Sequence, residues 1–147
     1  MRFTQVKKII PALALAALSA CGSDSVVGGG SNPPAGSYAA IIFVTTGSSG
    51  QTNQLTNGGS LNITLAANGT TSGHLHVSAS GNNPALDADM AGTWTRQGNQ
   101  IDFTQAADTF MNDLTFTYQP ISNSSWHLVA SQVIQSTKID ITLANTP

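Results

Sequence analysis

An all-β domain of about eight short antiparallel strands, closed as an up-and-down barrel, is the fold class that this 147-residue chain predicts from Gly36 onward. Three observations carry the expectation. Apolar residues recur with a period of two, the spacing of a half-buried strand. No segment of useful length has a 3.6-residue period; at most Pro84 to Met90 and Ala106 to Asn112 hold a turn of helix each. Glycine, asparagine and proline separate the apolar runs at hairpin distances. Closure is favoured because it removes the unpaired edges that an open sheet leaves. A two-sheet sandwich has the same periodicity and stands as the alternative.

In chain order, Tyr38 to Thr45 is apolar on both faces, as in a strand covered on two sides, and Thr46 to Ser60 reads as a long polar loop. Leu61, Ile63 and Leu65 alternate with Asn62 and Thr64; Leu75, Val77 and Ala79 alternate with His74, His76 and Ser78. Between them Asn68-Gly69 supplies a tight turn between antiparallel neighbours. Trp94 leads through Arg96-Gln97-Gly98-Asn99 to Ile101 and Phe103, a second hairpin. Leu114, Phe116 and Tyr118 share a face, Pro120 to Ser124 turns the chain, and Trp126, Leu128 and Ala130 form the seventh strand. Ile139, Ile141 and Leu143 form the eighth, facing away from Lys138, Asp140 and Thr142. Ala35-Gly36-Ser37-Tyr38 and Ala91-Gly92-Thr93-Trp94 share one pattern, each followed by about four strands, so the domain reads as two similar halves.

Ahead of the domain, a basic stretch (Arg2, Lys7, Lys8) precedes an apolar run from Ile9 to Leu18 and then Leu18-Ser19-Ala20-Cys21, small residues before the only cysteine. This is the three-part layout of a secretory signal, and its apolar run is too short to span a bilayer. The segment resembles the lipobox of bacterial lipoproteins. The resemblance implies that residues 1–20 are removed and that Cys21 becomes an acylated N-terminus. For a Gram-negative envelope the resemblance further implies the outer membrane, because Gly22 stands where an aspartate would mark inner-membrane retention. Gly22 to Ala35 is rich in glycine, serine and proline, a flexible tether between anchor and domain.

The domain resembles the lipocalin-like families. Their first strand opens with Gly-x-Trp, whose ring packs across the closed end of a barrel, and a long first loop overhangs the open end. Gly36-Ser37-Tyr38 matches with tyrosine in place of tryptophan, and Thr46 to Ser60 stands where the overhanging loop belongs. The Gly-x-Trp proper is at Gly92 to Trp94, in the middle of the chain. The resemblance implies a barrel that binds a small apolar molecule, with that loop as its lid.

Composition narrows the function classes. Without the leader, Arg96 and Lys138 face seven aspartates and no glutamate. An acidic chain with no basic cluster argues against nucleic acid and against electrostatic docking on anionic lipid. Membrane attachment then rests on acyl chains at Cys21, of which two or three make a durable anchor. With Cys21 modified, no thiol is left for a disulfide, a metal site or a nucleophile.

The sequence holds few candidates for chemistry. His74 and His76 share a strand face and His127 could join them, but the buried face belongs to Leu75 and Val77. Both histidines therefore read as exposed polar residues without a carboxylate partner, and no metal site is expected. Asp87-Ala88-Asp89-Met90-Ala91-Gly92 begins like a calcium loop but has Ala91 fifth and Gly98 twelfth, so it reads as a solvated loop. Asn62-Ile63-Thr64, Asn68-Gly69-Thr70 and Asn123-Ser124-Ser125 fit the glycosylation pattern but read as polar-face and turn residues. No nucleophile elbow, zinc-protease helix or phosphate-cradling loop is present, so an enzyme is not expected and neither is a cofactor. Tyr38, Trp94, Phe103, Phe116, Tyr118 and Trp126 carry the binding expectation: they fill a core, or they line a cup for an apolar ligand. The expected protein is a lipid-anchored, non-catalytic binding module of the cell envelope. A structural or protein-interaction lipoprotein with a filled barrel is the second expectation.

Overall fold

A computed structural model describes residues 35–79, 84–122 and 125–146. The signal segment, Cys21, nearly all of the tether and the Asn123-Ser124 turn lie outside the described residues. The strands are β1 (Gly36–Gly47), β2 (Gly50–Asn53), β3 (Ser60–Leu65), β4 (Thr70–Val77), β5 (Leu86–Asp89), β6 (Gly92–Gln97), β7 (Gln100–Gln105), β8 (Thr115–Ser122), β9 (Ser125–Ile134) and β10 (Thr137–Thr146). All pairings are antiparallel. The wall runs β1-β3-β4-β6-β7-β8-β9-β10 and returns to β1, a closed up-and-down barrel of eight strands. The β1–β10 seam excludes the sandwich.

The remaining two strands extend this wall. β5 and β6 pair with β4 in one continuous register, Leu86 opposite Val77 and Thr93 opposite Thr70, so they are one strand interrupted at Met90-Ala91. β2 pairs with the far half of β1, Val44 opposite Asn53, beyond the point where β3 leaves it. Pro84 to Met90 is therefore extended rather than helical, because Leu86 and Ala88 turn inward while Asp87 and Asp89 turn out. Thr46 to Ser60 is likewise not a single loop. Its glycines fold β1 back on β2, a turn whose polar strand gave no apolar alternation to read. The expected turn of helix after Ala106 is a 3₁₀ turn at Phe110–Asp113, its first turn capped by the Thr109 hydroxyl accepting from the Met111 amide.

The period-two residues do what their spacing predicts. Leu61, Ile63, Leu65, Leu75, Ile101, Phe103, Phe116, Leu128, Ile139, Ile141 and Leu143 point inward into one buried core, joined by Met90, Met111 and Leu114. Phe103 and Phe116 meet edge to face, centroids 5.3 Å apart. The wall is tight enough to demand glycine at two places. A Cβ at Gly73 would stand 2.1 Å from the Asn62 carbonyl oxygen, and one at Gly92 the same distance from that of Thr104.

One end of the barrel is plugged by Tyr38 and Trp94 of the two repeated motifs together with Tyr118 and Trp126. Tyr38, only 1% exposed, receives a 2.6 Å hydrogen bond from Trp126 Nε1, and Trp126 lies beside the Tyr118 ring. The Arg96 guanidinium sits 4.9 Å from the Tyr118 ring centroid. Trp94 Nε1 donates to the Ala66 carbonyl in the β3–β4 turn at 2.9 Å. Each tryptophan is thus half-buried and finds a partner for its one donor.

Burial raises the Tyr38 hydroxyl from 10.0 to about 12, against the lowering effect of its bond with Trp126. In the unfolded chain the phenol ionises near 10 while the folded chain keeps its proton. Stability is therefore full below pH 10 and falls as pH rises towards 12, by on the order of 2–3 kcal/mol at ~1.4 kcal/mol per unit. Urea midpoints measured at pH 9 to 12 should decline over that window for the native chain. In Tyr38→Phe the decline should flatten; an equal slope in both would assign it to other groups.

Candidate functional site

At the opposite end from the aromatic plug, the barrel opens into a cleft of about 350 Å³. The 3₁₀ turn gives the cleft an apolar surface there, because Phe110 packs on the core ring of Phe43, centroids 6.0 Å apart, while Met111 is carried into the core. The β1–β2 hairpin contributes Thr45, Ser49, Thr52 and two glycines, and Gln54 follows directly after β2. Val77 and Leu86 come from β4 and β5, Ile134 and Ile139 from β9 and β10. Among the described residues no ionisable side chain lines the cleft. Gln135, also on its wall, and Ser136 form the two-residue β9–β10 turn with φ of 48° and 71°, a left-handed pair that normally selects asparagine and glycine.

Gln54 is the most constrained polar residue here. It is 3% exposed; its amide nitrogen donates to the Phe43 carbonyl, and its own carbonyl accepts from Asn57 and Gly59. Its side-chain Nε2 donates to the Thr45 hydroxyl at 2.8 Å, and Oε1 has no hydrogen-bond partner among the described residues. Exchanging the two ends of the amide leaves the count unchanged, since Thr45 can satisfy only one of them. Gln105 is in a similar position deeper in the barrel, its Oε1 accepting from Thr71 and its Nε2 unpartnered.

None of the six aromatic residues expected to bind a ligand lines this cleft. Phe103 and Phe116 are packed in the middle of the core; Tyr38, Tyr118, Trp126 and Trp94 are gathered at the plugged end. They are brought together, but as packing.

On the outer wall, His74 and His76 of β4 stand across from Asp89 and Asp87 of β5. The histidines point outward as expected, and the carboxylates that the sequence reading missed are the two residues assigned to a solvated loop. His76 Nδ1 lies 2.8 Å from Asp87 Oδ1, His74 Nε2 3.2 Å from the same oxygen, and His74 Nδ1 3.4 Å from Asp89 Oδ1. Among the described residues no group of three or more histidine, cysteine, aspartate or glutamate side chains is arranged to hold a metal ion. The hydrogen bond to Asp87, then that to Asp89, raises the pKa of His74, and the same bonds from His76 and His74 lower that of Asp87. His127 faces outward on β9, opposite Ala144 and far in register from this group.

Two signals in the sequence could have found what was missed. Asp87-x-Asp89 has the same period as His74-x-His76, so reading both as strands would have paired them. Gln54 and Phe110 had no such signal, because their roles arise where the strand order is broken. No protein family, curated protein or solved structure matches the chain.

With both ring nitrogens of His74 facing carboxylates, its protonated form is favoured. In an NMR titration its ring protons should move at a pH above the ordinary histidine value, and Asp87→Asn should bring that midpoint down. A midpoint indifferent to Asp87 would mean that the pairing does not persist in solution.

Proposed function

We propose that this protein is a lipid-anchored, non-catalytic binding module of a bacterial cell envelope, and that its ligand occupies the cleft at the barrel mouth. The observation that carries the reading is the contrast between the two ends. One is plugged by hydrogen-bonded aromatic residues, and the other opens into a cleft of about 350 Å³, within the size range of small-molecule sites, roughly 300–1,000 Å³. Because the core is filled, this reading seats the ligand at the mouth rather than in the interior, where the sequence suggested it.

Two further features support the reading. Gly36, where the tether would join, starts β1 at the plugged end, and β1 runs from there to the mouth. An anchor at Cys21 would thus attach through the tether at the plugged end, away from the cleft. Most of the barrel's apolar residues point inward and, apart from Ile41, Ile42, Ile121 and Val133, its outer wall is largely threonine, serine, aspartate and glutamine, the reverse of a membrane-spanning barrel. This favours attachment through acyl chains in the reading proposed.

The second reading, a structural or interaction lipoprotein, draws on the exposed Ile41 and Ile42 on the outside of β1. Native mass spectrometry of the full chain purified from its host separates the two. A co-purifying small molecule supports the binding module, and an empty chain that carries a protein partner supports the other. Cys21→Ser should abolish incorporation of a fatty-acid label and release the protein from the membrane pellet. A labelled or still membrane-bound variant overturns the anchor.

A further inference from the structure

Resting on the reading of Cys21 as a lipid anchor, we infer that the plugged end is a membrane-contact surface: Ile121 and the open sides of Trp94 and Trp126 sit in the headgroup layer of the anchoring bilayer, and Arg96 meets a lipid phosphate. The acyl chains remain the attachment, and this contact sets how the barrel stands on it. The first observation is where the tether arrives. β1 starts at this end with Gly36 opposite Leu65, so the chain leading back to Cys21 leaves from here. A tethered end is held at a high local concentration beside its surface, where even weak contacts are occupied.

The second is what the end is made of. Trp94 and Trp126 are the chain's only tryptophans, and both lie here, each partly buried against the core. Ile121, 57% exposed, stands in the bulge between Pro120 and Ser122. Tryptophan and aliphatic side chains together suit the boundary between headgroups and acyl chains. Both indole donors are also satisfied within the barrel, Trp94 Nε1 by the Ala66 carbonyl and Trp126 Nε1 by the Tyr38 hydroxyl. Neither ring would carry an unpaired N–H into a layer poor in water.

The third is charge. Among the described residues Arg96 has no carboxylate partner, whereas Lys138 is paired with Asp140 at 2.9 Å. The Arg96 guanidinium lies over the Tyr118 ring and its Nε donates to the Gly98 carbonyl at 2.6 Å, which leaves the terminal nitrogens for a phosphate. The aspartates of the described residues are elsewhere: Asp108 and Asp113 at the 3₁₀ turn near the mouth, the other four on the outer wall. An acidic barrel thus meets anionic lipid with least repulsion at this end.

The test is tryptophan fluorescence of the full chain, acylated by its host, in vesicles of phosphatidylethanolamine and phosphatidylglycerol. Lipid carrying a nitroxide quencher near its headgroup should lower the emission about twofold. Ile121→Asp and Arg96→Glu should each remove most of that quenching while the chain stays with the vesicles, and Ile42→Asp should leave it unchanged. Near-ultraviolet circular dichroism equal to that of the native chain shows that the plug is intact in each variant. A chain that floats with the vesicles but keeps its full emission overturns the contact and keeps the anchor. Quenching lost in Ile42→Asp and untouched in Ile121→Asp puts the outer wall against the lipid and likewise overturns the contact at this end. A chain that carries no acyl group and stays out of the vesicles overturns the anchor and the contact together.

Discussion

The pairing of β1 with β10 is the interaction on which the rest of the structure depends. It joins the two ends of the domain, from Ser37 opposite Thr146 to Thr46 opposite Lys138, and the Thr146 hydroxyl seals it by donating to the Ser37 carbonyl. Without it β1 and β10 would each present an unpaired edge, the feature that drives strands to pair with other chains. The seam is also the most non-local contact in the chain, so its loop-closure entropy is met only by the burial that closure completes. Fold and core are therefore one cooperative event: the core residues of β1, β9 and β10 have an inside to face only once the seam exists.

Closure with eight strands also fixes how much interior there is. A barrel of this count is just wide enough for its own side chains. Here Phe43, Phe103, Phe116 and the aliphatic residues of β3, β4, β7, β9 and β10 take up that space. The two ends then differ because their side chains differ. At one, aromatic rings with single polar atoms can both fill and satisfy: Trp126 bonds Tyr38, Trp94 bonds Ala66, and Arg96 covers Tyr118. At the other, glycine, serine, threonine and glutamine stand among Phe110 and the aliphatic side chains and leave the opening unfilled.

Most of the fold was legible because one face of each wall strand is buried, which fixes both the period and the register. Leu61-x-Ile63-x-Leu65 and Ile139-x-Ile141-x-Leu143 could hardly be read any other way. Even Gly36 and Gly92 could be picked out by the aromatic two places later. Legibility failed where a strand is polar on both faces, as in Gly50 to Asn53, or where alternation is carried by small residues, as at Leu86-Asp87-Ala88-Asp89. The cleft was harder still. Its residues share no pattern, since they converge from hairpins and connections that the sequence separates widely.

The reason for the cleft lies in a slip of the sheet. Continuing the β1–β3 register of Gly36 with Leu65 along β1 would bring Asn57 opposite Val44; Asn53 is there instead, four residues early. The surplus residues leave the wall as the segment after β2. At the same level β1 carries a bulge at Ile41, between Ala40 and Ile42, and bulges bend the strand that holds them. Beyond Ala39, β1 follows β10 and β2, while β3 stays with β4. The wall splits there, and its exposed backbone groups must find partners: the Phe43 carbonyl takes the Gln54 amide, and the Gln54 carbonyl takes those of Asn57 and Gly59. Gln54 is buried because it wedges this split, and it is polar because the split is lined with backbone. A full core and an open mouth are thus compatible in one small barrel: the space of the cleft comes from a four-residue irregularity in pairing, without hollowing the interior that holds the fold together.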